Sequence, residues 1–355
     1  MRGDERIPVA ILGATGSVGQ RFVQLLARHP WFRAAELVAS ERSAGRRYRE
    51  ATDWRLDATI PEGASDLVVQ DYNAALESPV VFSALPAEVA AEIEQRLARD
   101  GHAVLSNTRT HRMEPDVPLL IPEVNADHIG VIEVQRKARG WSGFIATNPN
   151  CSTIHMVLAL KPLQTAFGLE AVAVTTMQAV SGAGYPGVPS LDMIDNVVPY
   201  IGDEEAKMES ETKKLLGDFD PATSQFQPAD LIVSAQCNRV AVRDGHTECV
   251  AVRLTKSPDP EAVIAALEEF RGKPQELELP SAPPQPIIVR REANRPQPAL
   301  DRDVANGMAS VVGRVRVCPL MGIKFVVLGH NTIRGAAGAS VLNAELLRVE
   351  NLLPL

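Results

Sequence analysis

IPVAIL (7–12), GATGSVG (13–19) and QRFVQLLARHP (20–30) follow one another without a break. The first run is short, apolar and fit for a buried strand. The second carries three glycines in a G-x-x-G-x-x-G spacing. The third places Phe22, Val23, Leu25 and Leu26 at helical spacing and stops near Pro30. A strand, a glycine turn and a helix in this order begin a nucleotide-binding βαβ unit. The chain downstream repeats the alternation. AELVA (35–39), LVVQ (67–70), PVVFSA (79–84) and AVLS (103–106) read as strands, and 87–99 is helical in composition. Strands alternating with helices predict a doubly wound, Rossmann-type parallel sheet over about 1–149.

The segment that follows, 150–330, holds more antiparallel strand. Residues 171–178, 231–235, 247–254, 308–317 and 323–328 fit. They predict a second, α+β domain with a mixed sheet. RVAVRDGHTECVAVRL (239–254) sets Asp244-Gly245 between two alternating runs, which predicts a hairpin. The proline-rich stretch 280–298 is expected to be largely irregular, a surface arm and a candidate interface element. RGAAGASVLNAELLRVE (334–350) is a helix rich in small residues, suited to close packing.

Composition sets the outer bounds. The chain has 355 residues, 45 % apolar and 23 % charged, and a net charge of −8. That is enough chain for about two domains. The negative charge argues against a general nucleic-acid partner, which needs a basic face. Four cysteines are too few for a disulfide scaffold. No stretch approaches the ~20 apolar residues that span a bilayer. The expectation is a cytoplasmic protein without membrane attachment.

The glycine loop offers Gly13, Thr15, Gly16, Ser17, Val18 and Gly19 to a pyrophosphate, with helix amides as donors. The end of the second strand reads Ser40-Glu41-Arg42-Ser43. Glu41 is a signal for NAD, whereas Ser40, Arg42 and Ser43 favour the 2′-phosphate of NADP. The chemistry end is TNPNCST (147–153), where Cys151 opens an apolar helical run. A helix N-terminus favours the thiolate, and so a nucleophile. His246 follows the Asp-Gly turn as a candidate base, and Arg239 has the fork to bind a carboxylate. QAVSGAGYPG (178–187) has few charges and offers backbone donors, with Gln178, Ser181 and Gly182 as candidates. Glu211 and Lys214 share a helix face, and Arg112 is placed to reach the same anion site. The remaining cysteines fit inert positions, and their spacing argues against zinc.

GATGSVGQRF, NPNCST, QAVSGAGYPG, the Arg239-to-His246 spacing and NTIRGAAGASVLNAE together resemble the aspartate-semialdehyde dehydrogenase family, in its archaeal and fungal branch. The resemblance runs in order along nearly the whole chain. It implies conversion of L-4-aspartyl phosphate and NADPH into L-aspartate 4-semialdehyde, NADP and phosphate, in lysine, methionine and threonine biosynthesis. It assigns Cys151 as the nucleophile that becomes a thioester, His246 as the acid–base residue, and Gln178 as the residue that orients the acyl group. It gives Arg239 the substrate α-carboxylate, Arg112 and Lys214 the phosphate, and Glu211 the pairing of those cations. It places Asn331 and the terminal helix 331–355 back beside the nicotinamide, completing the first domain. It also implies a homodimer or homotetramer. The alternatives are a malonyl-CoA reductase of the same superfamily and a non-catalytic NADP-binding regulator.

Overall fold

The structure is a computed structural model that describes residues 6–220, 222–223 and 225–355. Its first sheet contains β1 (Ile7–Leu12), β2 (Phe32–Val38), β3 (Val69–Gln70), β4 (Val80–Ser83), β5 (Ala103–Ser106) and β6 (Phe144–Thr147). All pairings are parallel, in the order β3-β2-β1-β4-β5-β6. That is the strand order of doubly wound dinucleotide-binding folds. β1 shows why both faces are covered. Val9 and Ile11 enter one core with Phe22, Val23 and Leu26 of the helix Ser17–Leu26, while Ala10 and Leu12 enter another with Ala90, Leu97 and Ala98 of the helix Ala87–Arg99. The period of two sends successive side chains to opposite layers. The terminal helix Gly338–Val349 returns to this half, where Val341, Ala344 and Leu347 join the first of these cores.

The second sheet contains β7 (Leu169–Gln178), β10 (Ile232–Arg239), β11 (His246–Leu254), β12 (Ile287–Arg290), β13 (Ser310–Cys318) and β14 (Gly322–Gly329). Between β7 and β10 the chain forms a small separate pair, β8 (Asp218–Asp220) with β9 (Gln225–Gln227). The sheet order is β10-β7-β11-β14-β13-β12. The two outer pairs, β10/β7 and β12/β13, are parallel and the others antiparallel. The helix Cys151–Phe167 packs on one face, burying Ile154, Val157, Leu158, Leu160 and Leu163 against Val174, Val250, Val252, Phe325 and Val327. Each such side chain stabilises the fold by about 1.5–3 kcal/mol on burial.

One expectation changes. Asp244-Gly245 does not close a hairpin, because β7 lies between β10 and β11. Residues 240–245 cross over the end of β7 instead, with Val240 bonded to Gln178 and Val180 to Val242. The alternation was right for two strands, but it carries no information on which strand pairs with which. The proline-rich stretch is irregular over most of its length, as expected, and its regular part is chiefly the short β12, at the sheet edge where prolines do not interrupt a ladder. β6 is not among the strands expected from the sequence.

Candidate active site

The two sheets meet along a cleft of about 540 Å³. Gly16, Ser17 and Val18 line one end, and Cys151, Gln178 and Arg239 the other. Gly13 has φ +71°, and a Cβ there would lie 2.4 Å from the Ala84 carbonyl oxygen, so only glycine fits. Gly19 is buried at the helix start, whereas Gly16 is exposed to the cleft. Gly16 caps the helix without a side-chain bond, leaving its first-turn amides open. The main-chain oxygens of Ala14 and Thr15 are held from behind by Tyr48 Oη and Gln20 Nε2. Beyond β2, Ser40, Glu41 and Arg42 are exposed, but Ser43 is buried in the loop's own turn and its amide bonds the Ser40 carbonyl. An elongated cleft with an open helix N-terminus at one end and a thiol at the other fits a dinucleotide.

Cys151 is the first residue of its helix because Asn150 caps it. The Asn150 side-chain oxygen accepts from the amides of Ser152 and Thr153. The Asn150 amide in turn donates to Glu211 Oε2 at 2.6 Å, and Asn150 Nδ2 donates to Glu204 Oε2 at 2.6 Å. Cys151 is thus seated, through Asn150, by two carboxylates on the helix Glu204–Leu215. Cys151 Sγ lies 3.1 Å from His246 Nε2. His246 is fully buried at the start of β11, and the Ala179 amide donates to its Nδ1 at 3.0 Å. Burial, reinforced by Arg239, holds the imidazole well below its usual pKa. Burial also pushes the Cys151 thiol up to about 12, with Glu204 adding and Arg239 and Arg112 opposing.

Around this pair the structure gathers most of the residues picked from the sequence. Gln178 ends β7 and donates to Glu204. Arg239 ends β10, spends one nitrogen on the Ala179 carbonyl at 2.8 Å and also lines the cleft. Ser181 accepts from Asn331 Nδ2 at 2.8 Å, and Asn331 Oδ1 accepts from the Gly245 amide. A Cβ on Gly182 would come within 2.8 Å of Arg239 Nη1 and 3.1 Å of the His246 ring. Arg112 is tied to Glu211 Oε1 at 2.9 Å and to the Asn107 carbonyl at 2.8 Å, and it also lines the cleft.

Lys214 is the exception. Its ammonium donates to the carbonyls of Arg112, Glu114 and Val117 at 2.7, 2.9 and 2.8 Å, and it does not line the cleft. All three protons are spent on main-chain oxygens, so it has none for a phosphate. The lysine in the cleft is Lys207, which sits 2.9 Å from Glu204 Oε1. Burial would raise the Glu204 carboxyl, but Lys207, Asn150 and Gln178 hold it below its usual value. The sequence carried this signal. Glu204 and Lys207 repeat the Glu-x-x-Lys spacing of Glu211 and Lys214 two turns earlier, on the same helix face.

A doubly wound sheet whose glycine turn faces a cysteine–histidine pair defines a class, the nucleotide-linked dehydrogenases that act through a thioester. Two family models match: the semialdehyde dehydrogenase NAD-binding domain at residues 8–132, and the semialdehyde dehydrogenase dimerisation domain at 160–334. The chain is 52 % identical to an aspartate-semialdehyde dehydrogenase of Archaeoglobus fulgidus, over 98 % of this chain and 100 % of that one. It is 52 % identical to its counterpart in Methanothermobacter thermautotrophicus, over 96 % and 99 %. The crystal structure of the Candida albicans enzyme with NADP superposes with a TM-score of 0.91 at 45 % identity, covering 98 % of this chain and 100 % of that one. This chain belongs to the aspartate-semialdehyde dehydrogenase family.

Proposed function

We propose that the protein is an NADP-dependent aspartate-semialdehyde dehydrogenase, which interconverts L-4-aspartyl phosphate and L-aspartate 4-semialdehyde. The observation that carries this reading is Cys151 Sγ at 3.1 Å from His246, in a cleft shared with Arg239, Arg112 and Lys207. The likeness to the NADP-bound fungal enzyme supports the cofactor. Ser17 and Val18, which line the cleft, would hold its pyrophosphate, Ser40 and Arg42 its 2′-phosphate, and Asn331 would face its nicotinamide. The cofactor supplies the two-electron exchange.

The chain's own residues do the rest. In the biosynthetic direction the Cys151 sulfur attacks the acyl carbon, a C–S bond forms, and the C–O bond to phosphate breaks. Arg112 and Lys207 hold the departing dianion. Arg239 grips the α-carboxylate through the nitrogens it does not spend on Ala179. Gln178, anchored on Glu204, directs its amide at the acyl oxygen. His246 stands against the sulfur and the developing oxyanion as acid–base residue. A coenzyme A reductase would lack use for two cations beside the thiol, and a non-catalytic regulator would lack use for the seated nucleophile.

One face of the second sheet carries Thr175, Ser234, Gln236, Cys249 and Arg316 open to solvent. The dimerisation-domain match covers this sheet, which supports a homodimer joined there. All four cysteines are free, in keeping with a cytoplasmic setting. Among the described residues no helix is long and apolar enough to cross a membrane. The deciding experiment is NADP reduction with L-aspartate 4-semialdehyde, with and without phosphate. Phosphate-dependent reduction is expected. Folded protein that binds NADP but reduces none would overturn the reading and make malonyl-CoA the next substrate tried.

A further inference from the structure

Among the described residues, Arg109, Arg112, Lys207 and Arg239 are the cations that line the cleft, and their open protons are unequal. Arg112 is buried, donates to Glu211 Oε1 and to the Asn107 carbonyl, and has its Nε sealed from solvent. Lys207 is held by Glu204 Oε1 at 2.9 Å and by the Gly202 carbonyl at 3.5 Å. Arg239 is tied to the Ala179 carbonyl and is claimed by the α-carboxylate. Arg109 is different. It stands three residues before Arg112 on the turn that follows β5, and its side chain is half exposed at the mouth of the cleft. Among the described residues its hydrogen bond runs from Nη1 to Asp203 Oδ2, which leaves Nε and Nη2 open.

Asp203 is an unusual partner. It occupies the N-cap of the helix Glu204–Leu215, where an aspartate ordinarily turns its carboxylate onto the first amides. Here φ is +59° and the side chain makes no capping bond. The carboxylate is turned to Arg109 instead. The pair therefore spans the cleft, from the half that carries β5 to the helix that carries Glu204, Lys207 and Glu211. Side chains 52 % and 64 % exposed hold such a pair weakly, adding at most about fivefold to an equilibrium. A phosphate dianion offers the same guanidinium two charge-assisted bonds, worth about ten- to a hundredfold.

We propose that Arg109 captures the phosphate at the mouth of the cleft, ahead of Arg112 and Lys207, and that Asp203 is its resting partner. The carboxylate occupies the guanidinium until the substrate's phosphate, or inorganic phosphate in the oxidative direction, displaces it. Asp203 thus competes with phosphate from within the chain. One ion pair replaces another, and no covalent bond changes. The released carboxylate stays beside a helix N-terminus, where negative charge is favourable.

The inference rests on the reading that phosphate is a substrate, and its test separates the two. Calorimetric titration of inorganic phosphate into the NADP-loaded protein needs no turnover. Arg109→Ala is expected to weaken phosphate about tenfold. Asp203→Asn is expected to tighten it about threefold, a gain that loss of a merely structural ion pair does not produce. In the double variant the gain vanishes, and phosphate binds as it does to Arg109→Ala alone. Both side chains are exposed, so melting temperatures are expected to stay within about two degrees of the wild type. An Asp203→Asn protein that binds phosphate no better, or a gain that persists without Arg109, would overturn the inference, as would a wild type that binds no phosphate. Phosphate binding with the expected pattern, from protein that reduces no NADP with the aldehyde, would remove the proposed activity and leave the exchange standing.

Discussion

A lysine ammonium has three protons to place, and Lys207 and Lys214 place theirs differently. Lys214 gives all three to the carbonyls of residues 112, 114 and 117, and so it braces the turn that carries Arg112. Burial pulls it down to about 8, against the pull of Asp116, Glu114 and Glu211. Lys207 meets one carboxylate and the cleft. Their variants should separate cleanly. Lys207→Ala is expected to raise the KM for phosphate about 10–100-fold, the loss of one charge-assisted bond of ~1.5–3 kcal/mol, with the melting temperature nearly unchanged. Lys214→Ala strands buried carbonyls and is expected to cost about 3 kcal/mol or more of stability, read by urea unfolding. A phosphate KM that moves equally in both would show that the cleft position of Lys207 has no bearing on the anion. Cys151→Ala is the plainer case. It should reduce turnover by at least about a thousandfold and leave NADPH binding, followed by nucleotide fluorescence, intact. Near-normal activity would remove the covalent route.

At the scale of elements, the sequence was legible wherever one local pattern had one structural meaning. GATGSVG between an apolar run and a helix was such a case, and NPNCST before an apolar helix another. It was ambiguous where a pattern occurred twice, as with the two Glu-x-x-Lys pairs on the helix Glu204–Leu215. It was silent where the answer depends on a distant segment. β7 enters between β10 and β11 from about sixty residues away in sequence, and no local pattern announces such a pairing. The arm at 280–298 is held by an acid just beyond its end. Asp301 accepts from Arg290, Arg295 and the Gln297 amide, which outweighs the effect of burial and holds its carboxyl below the ordinary value. A depressed carboxylate contributes stability above its unfolded value near 3.8 and loses that contribution as pH falls through its lower, folded value. Asp301→Asn is therefore expected to loosen the arm at pH 7, with faster amide exchange over 287–290, and to flatten the loss of stability between pH 4 and 2. An acid limb as steep as in the wild type would mean that other carboxylates set it. Gly335 tests the other contact between elements. A Cβ there would lie 2.9 Å from the Cys151 Cβ, so Gly335→Ala is expected to slow Cys151 alkylation and turnover together without unfolding the protein.

At the scale of the molecule, the cleft belongs to neither half alone. The first sheet supplies the open helix end, and the second supplies Gln178, Arg239 and His246. Arg334, fully buried beside Glu123, and the terminal helix carry the chain back across the join. This arrangement leaves the second sheet covered on one face by the helix Cys151–Phe167 and bare on the other. Ile232 stands 69 % exposed on that bare face. A six-stranded sheet with one open face gains by pairing that face with its own copy, since a two-fold axis satisfies both at once. Cys249 lies near the middle of the open face, and its neighbours on β7 and β14 are Thr175 and Val326. An arginine there would set two like charges against each other across the axis. Cys249→Arg is expected to convert a dimer into folded monomers, read by light scattering beside an unchanged far-ultraviolet circular dichroism spectrum. Because β11 also begins at His246, the monomer is expected to lose activity along with its partner. A variant that stays dimeric would place the contact elsewhere, and an active monomer would show that the rigidity of the cleft comes from each chain alone.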